Sequence, residues 1–371
     1  MKIGLLTYHR AYNCGAMLQA WALQRVLERL GHIVSLPSCN KVGETPRWQY
    51  TWTNPEKKGV DWIRSLVGRS VLNVLSIPTE DIRIHRYRRF RKNYMRECDC
   101  QPHDFDKCFD SVVVGSDQVW SDYHSEEDAP LFFGENIPPS VRKIAYAVSY
   151  GDKPLAGPRL DRLVAAAARF DAVSVRERLA CNQLAAYLKA KIPVVLDPTL
   201  LLTAPDYDEV ESKDYPLEPY LFMYTISKSP FMLKTARELA RRMNVRCVIA
   251  PCYQYGWFGA EKDLTCSISP DRLVSFSKHA KYIVTGSFHG TVMGLLFNKP
   301  TISLRDHVDQ YESRPASLLN MLGCGERIAN PETKFSHMEE LLKFGFTDSI
   351  YLKLNEFRAM SMNWLSRAIS S

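Results

Sequence analysis

His289 stands in the stretch Thr-Gly-Ser-Phe-His-Gly-Thr, after a short β-branched run, Tyr282 to Thr285. Beyond it Val292, Leu295 and Leu296 recur at helical spacing until Asn298-Lys299-Pro300. The run suits a strand covered on both faces, and the proline stops the helix. A strand, a tight turn and a helix start put the imidazole at the carboxyl edge of a sheet. Open α/β sheets bind ligands there, and free helix amides favour an anion. His289 is therefore a candidate for proton transfer near neutral pH, with Ser287, Gly290 and Thr291 in the same turn. The competing reading is a histidine that caps the helix or fills a polar pocket.

Three more loops fall at predicted strand ends: Asn13-Cys14-Gly15, Gly115-Ser116-Asp117-Gln118 and Arg176-Glu177. Arg176 directly follows a buried Val-Ser-Val run, a costly place for a guanidinium unless it meets an anion or a carboxylate. The carboxylate would be Glu177 or Asp171. Asp117 could accept hydrogen bonds from sugar hydroxyls or cap its own turn. Asn13 and Gly15 could bring backbone amides to a ligand, although Gly15 also suits turn geometry alone. The set fits a small anionic substrate with phosphate or carboxylate groups and a polyhydroxylated acceptor. Neither a Walker loop nor a Gly-x-Gly-x-x-Gly after the first strand is present, which argues against nucleotide hydrolysis and hydride transfer.

The elements that must position these residues alternate along the chain. Strands are predicted at Lys2 to Tyr8, His32 to Leu36, Ser111 to Val114, Lys143 to Val148 and AVSV, and IPVVLDPTLLL reads as one more. Helices are predicted over about 16–30, 159–169 and 178–189, with a short amphipathic piece near Trp62 to Leu75. TAPDYDEVESKDYPLEP, from Thr203 to Pro219, is acidic, carries three prolines and lacks apolar periodicity, so it reads as a linker. Alternation then restarts with YLFMYTI, a helix over 231–243, RCVIAP, a helix over 270–280, the His289 stretch, TISL and a helix near 317–322. This predicts two doubly wound α/β domains facing across a cleft. The boundaries are 1–204, a linker over 205–219, and 220–345. Residues 346–371 form a terminal amphipathic helix that packs back on the first domain or on a dimer partner.

The chain has 371 residues, 46% hydrophobic and 24% charged, as expected of a globular protein with two cores. MKIGLLTYHR has too short an apolar core for a signal peptide and reads as a first strand. Ten cysteines without CxxC spacing suggest reduced thiols in the cytoplasm. HExxH is absent too, so neither metal nor cofactor is expected. The formal charge of +7 is concentrated in Ile82 to Arg96, which holds six Arg and one Lys and no acid. Tyr87, Phe90 and Tyr94 at helical spacing make this an amphipathic helix with a basic face. That face is either simply solvated or meets an anionic membrane or polymer. Nucleic acid is not expected, because no helix-turn-helix or aromatic-bearing RNA-binding strand accompanies it.

"KIGLLTYHRAYNCGAMLQAWALQRVLERLGH", "VVVGSDQVW", "AYAVSYG", "AVSVRER" and "TGSFHGTVMGLLFNKP" together resemble the polysaccharide pyruvyl transferase family. The resemblance runs co-linearly from Met1 to about Gly323. It implies a fold similar to two-domain glycosyltransferases of the GT-B type. It also implies transfer of the pyruvyl group of phosphoenolpyruvate onto two hydroxyls of a sugar or lipid-linked oligosaccharide, in surface-polysaccharide synthesis. By matched position Arg176 would bind the donor and His289 would be the catalytic acid/base. Some members carry Arg two residues before the His, where this chain has Ser287. The missing cation is expected from Arg314, in preference to Arg305. The alternatives are a nucleotide-sugar glycosyltransferase and a non-catalytic sugar- or phosphate-binding homologue.

Overall fold

The computed structural model describes residues 1–39, 81–121, 129–189, 191–252, 268–306 and 311–370. The amphipathic piece expected near Trp62 to Leu75 lies outside them. The first part of the chain runs β1 (Lys2–Leu6), α1 (Cys14–Arg29), β2 (Ile33–Pro37), α2 (81–94), β3 (Glu97–Cys98), α3 (Phe105–Cys108) and β4 (Ser111–Val114). It continues with α4 (Ala129–Phe132), β5 (Arg142–Val148), α5 (Pro158–Ala167), β6 (Ala172–Val175), α6 (Arg178–Leu188) and α7 (Pro198–Leu201). Its six strands pair in parallel in the order β3-β2-β1-β4-β5-β6, the Rossmann order. The second part runs β7 (Tyr220–Thr225), α8 (Pro230–Arg242), β8 (Arg246–Pro251), α9 (Pro270–His279), β9 (Tyr282–Thr285) and α10 (Phe288–Leu296). β10 (Thr301–Leu304), α11 (Arg314–Leu322), β11 (Ile328–Ala329), α12 (Phe335–Leu341) and α13 (Asp348–Ser370) complete it. Its five strands are also parallel, in the order β11-β10-β9-β7-β8.

The strands are short apolar runs buried on both faces, as parallel sheets under helices require. Helix starts follow local chemistry. Asn13 caps α1, Ser229 caps α8 and Ser287 caps α10, while proline opens α5, α7, α8, α9 and α11. One apolar core runs through both sheets' facing layers, from Leu5, Met17, Trp21 and Tyr146 to Phe222, Val274, Phe288 and Leu295. The domains therefore meet through buried side chains at their carboxyl strand edges.

Two readings change, and two gain detail. IPVVLDPTLLL is not a strand: Val194 makes one bridge to Val175, and Asp197 then caps the helix that Pro198 opens. An Asp-Pro start overrides the apolar composition, because the side chain satisfies a helix amide and the proline ring presets φ. The acidic 203–219 segment holds a 3-10 helix, Ala204–Val210, closed by a Thr203/Asp206 capping box. Cys100 and Cys108 are joined in a disulfide that closes the turn around α3, so not every cysteine is a thiol. The basic face of α2 is largely engaged within the molecule, because it looks onto acidic groups of both domains. Arg83 donates to the Tyr12 carbonyl at 3.0 Å. Arg86 pairs with Asp214 at 3.7 Å, Arg89 with Asp271 at 3.3 Å, and Arg91 with Glu97 at 3.2 Å. Asp271 belongs to α9, so α2 straps the second domain to the first.

α13 packs back across the first domain. Trp364 lies 6.0 Å from the Tyr146 ring, the Leu196 amide donates to Ser361 Oγ at 3.0 Å, and Arg358 Nε donates to the Leu200 carbonyl at 2.7 Å. No helix among the described residues is long and apolar enough to cross a membrane.

Candidate active site

Arg176 leaves β6 at its carboxyl end and turns into the seam between the domains. Its Nε donates to Glu177 at 2.9 Å and its Nη1 to Asp197 at 2.8 Å, while Nη2 lies 3.5 Å from Asp117. Phe288 of the second domain closes the fourth side, its ring centre 4.3 Å from the guanidinium carbon. A buried guanidinium is tolerable here because three carboxylates surround it. The carboxylate reading of Arg176 thus holds with Glu177 and not with Asp171. Asp171 sits at the other end of β6, accepting from the Lys143 amide at 2.7 Å.

Asp197 is the hub. Its Oδ1 accepts from the Thr199 amide at 3.0 Å and from Thr199 Oγ1 at 2.6 Å. Oδ2 accepts from Arg176 and, at 3.3 Å, from Ser116 Oγ, and lies 3.7 Å from His289 Nε2. Burial alone would raise this carboxyl's pKa. The nearby charges of His289 and Arg176, with the hydrogen bonds from Arg176 and Thr199, outweigh it and hold the group below the usual carboxylate range. Glu177 moves the other way: burial pushes it up, and the opposing pull of Arg176 does not restore it.

His289 lies in the first turn of α10 and reaches across the seam, its ring resting on Gly15 of α1. A Cβ on Gly15 would fall 2.0 Å from His289 Nδ1. His289 and Arg176 are each only 6% exposed, so the seam is closed. Three buried polar atoms around it lack a hydrogen-bonding protein partner: His289 Nε2, Arg176 Nη2 and Glu177 Oε2. Such atoms are costly unless something completes them, and they meet around one hub.

The other sequence candidates fall into two groups. Asp117 comes to the hub from the loop after β4, in a left-handed conformation with φ 73°, while its Oδ1 also accepts from the Gln118 amide at 2.9 Å. Arg314 reaches Asp117 from the start of α11. Its Nε donates to Asp152 at 3.1 Å and its Nη1 lies 3.8 Å from Asp117; with the Gln118 amide turned so that its oxygen faces Arg314, both Nη atoms donate to that oxygen at 3.0 Å. Arg305 instead donates to the Tyr311 carbonyl at 3.3 Å.

Asn13, Ser287, Gly290 and Thr291 build the scaffold. Asn13 Oδ1 accepts from the amides of Gly15 at 2.9 Å and Ala16 at 3.2 Å, so these amides serve the cap of α1. Ser287 Oγ accepts from the Gly290 amide at 3.5 Å, and Thr291 Oγ1 donates to the Ser287 carbonyl at 3.1 Å. Gly290 has no room for a side chain, since a Cβ would lie 2.2 Å from Thr285 Oγ1.

A family model described as polysaccharide pyruvyl transferase matches residues 13–307. The chain belongs to that family. The matched span includes Arg176, Asp197 and His289, so the hub lies inside the region that defines the family. No curated protein matches the chain. Among solved structures it is similar to UDP-N-acetylglucosamine 2-epimerase from Rickettsia bellii, at 12% identity and TM-score 0.49 over 99% of this chain and 95% of that one. A putative UDP-N-acetylglucosamine 2-epimerase from Listeria monocytogenes gives 11% and 0.47, over 99% and 90%. The spinosyn rhamnosyltransferase SpnG, complexed with thymidine diphosphate, gives 13% and 0.39, over 100% and 96%.

In this member of the pyruvyl transferase family the sequence reading missed Asp197 and Asp152. Asp197 had a legible local signal, the Asp-Pro helix start. Asp152 had none, because its role arises from Arg314, 162 residues away. The contact between Gly15 and His289 yields a direct test. Gly15→Ala should wedge the seam open, cost about 1–3 kcal/mol of stability as overpacking does, and remove most turnover. Denaturant melts beside an activity assay measure both, and a variant of unchanged stability and activity would show that His289 does not rest on α1.

Proposed function

We propose that the protein transfers the pyruvyl group of phosphoenolpyruvate onto two hydroxyls of a sugar acceptor, forming a cyclic ketal and releasing phosphate. The observation that supports this most is the convergence of His289, Asp197 and Arg176 at the domain seam of a chain belonging to this family. The reaction adds a proton to the donor's methylene carbon, which becomes a methyl group and leaves an oxocarbenium-like centre at C2. One sugar hydroxyl adds, phosphate leaves, and the second hydroxyl closes the ring. The two hydroxyl protons end on the methyl carbon and on phosphate, so the step balances.

His289 is the proton carrier in this reading, because imidazole changes charge near neutral pH. Asp197, ionised and fixed by Thr199 and Arg176, stabilises the imidazolium and orients the ring. Arg176 Nη2 and Arg314 are the cations for the donor's carboxylate and phosphate. Both guanidiniums already face carboxylates, so the donor binds by exchange: its anionic groups take the places of Asp117 and Asp152 beside the arginines. The acceptor is a sugar of a surface polysaccharide, in keeping with the family.

The test is a thermal-shift comparison of phosphoenolpyruvate, pyruvate, phosphate and nucleotide sugars. A ligand at about a hundredfold above its Kd stabilises the native state by about 2.7 kcal/mol, a shift of several degrees. Phosphoenolpyruvate should give that shift. Stabilisation by a nucleotide sugar with no response to phosphoenolpyruvate would instead favour glycosyl transfer.

A further inference from the structure

The second domain carries a cationic groove that the reaction centre does not use. It is a cavity of about 860 Å³ beside α8, with Lys228, Lys234, Arg237 and Arg241 on its walls. Glu238 is the one acid in the lining, and Arg241 holds it with Nη2 at 2.7 Å and Nε at 2.9 Å. Lys234, Arg237 and Arg241 follow at i, i+3 and i+7, so they lie on one face of α8, about 4.5 and 6 Å apart along its axis. Leu233 and Phe335 form an apolar floor. Arg242 covers one face of the Phe335 ring at 5.0 Å.

One end of the groove reaches the reaction centre's own sheet edge. Lys228 follows the carboxyl end of β7, which pairs with β9, the strand that leads to His289. The first turn of α8 abuts the turn after β9 so closely that a Cβ on Gly286 would lie 2.6 Å from Met232 Sδ. Ser229, at the cap of α8, hydrogen-bonds Asp306 just beyond β10.

We propose that this groove binds a carboxylate-bearing saccharide chain: the stretch of polymer already modified, leading away from the reaction centre. The identity of the chain rests on the pyruvyl-transfer reading. A pyruvyl ketal keeps the carboxylate of its donor, so each modified sugar gains one negative charge. A chain bearing such groups at intervals matches a row of spaced cations above an apolar floor on which the C–H faces of sugar rings can lie. An anionic bilayer is the competing occupant, and it lacks the carboxylates spaced along one chain that the cations of α8 would meet in turn.

The test measures binding without donor. Labelled galacturonate oligomers of about ten residues stand for the acidic chain and dextran for a neutral one, with phosphatidylglycerol vesicles as the lipid arm. The full-length protein should bind the galacturonate oligomer, more weakly as salt rises, and should not bind dextran. The double variant Lys234→Gln/Arg237→Gln should lose about tenfold in affinity, equivalent to 1.4 kcal/mol. Lys234→Glu, at an exposed position, checks the result should the double variant fold poorly. Equal binding by the variants, equal binding of dextran, or binding of vesicles but not oligomers would overturn the proposal. Oligomer binding lost in the variants while phosphoenolpyruvate fails to stabilise the protein would remove pyruvyl transfer and leave the acidic-chain site standing.

Discussion

His289→Gln should lower turnover about a thousandfold while leaving the melting temperature within about two degrees of the parent, because proton transfer by a positioned side chain contributes about 10²–10⁴-fold. Glutamine keeps a polar group of similar reach beside Asp197 but cannot carry a proton. The small stability change follows from the contacts: His289 Nε2 has no hydrogen-bonding protein partner, and the ring is held by packing on Gly15 and by edge contact with Phe288 at 5.2 Å. Steady-state assays with thermal melts on the same preparations separate the two effects. A His289→Gln enzyme with parental turnover would remove His289 from the chemistry.

Asp197→Asn should damage both stability and turnover. Asn keeps the shape and can still accept from Thr199, but the buried Arg176 loses one of its three counter-charges. Removing one partner of a buried ion pair costs about 3–5 kcal/mol. The pH dependence has a definite sign. The Asp197 carboxyl is held below its ordinary range in the fold. Its stabilisation is therefore fully present above the unfolded-state value of about 3.9 and is lost as pH falls through the folded value. Urea melts should show a constant gap between parent and variant from about pH 5 to 7, shrinking below about pH 4. A gap that stayed constant into acid would mean that Asp197 contributes shape and not charge. Turnover should fall as well, since the imidazolium of His289 would lose its nearest anion.

Much of this architecture is legible in the sequence because its causes are local. Lys2–Leu6, Ser111–Val114, Tyr282–Thr285 and Thr301–Leu304 are short β-branched or apolar runs, and the helices between them repeat apolar residues at helical spacing. Burial on two faces and burial on one stripe leave different periods in a sequence, so the two kinds of element separate. The place of His289 is readable for the same reason, as it lies between such a strand and the Ser287 cap.

Which carboxylates and cations neighbour one another around Arg176 depended on tertiary structure. Asp197, Arg176, Asp117 and Arg314 are brought together by strand order and by closure of one sheet edge on the other. Their pairings span separations such as the 21 residues from Arg176 to Asp197 and the 162 from Asp152 to Arg314. The basic helix shows the same division. Its charge and periodicity are written in Ile82 to Arg96, but its pairing with Asp214 and Asp271 follows from where the second domain docks. Gly15 is the sharpest case. In sequence it reads as a turn residue, and in the fold it is the surface on which a histidine from the other domain lies. Local periodicity records which face of an element is buried, whereas an ion pair or a close approach between distant segments leaves no period to read.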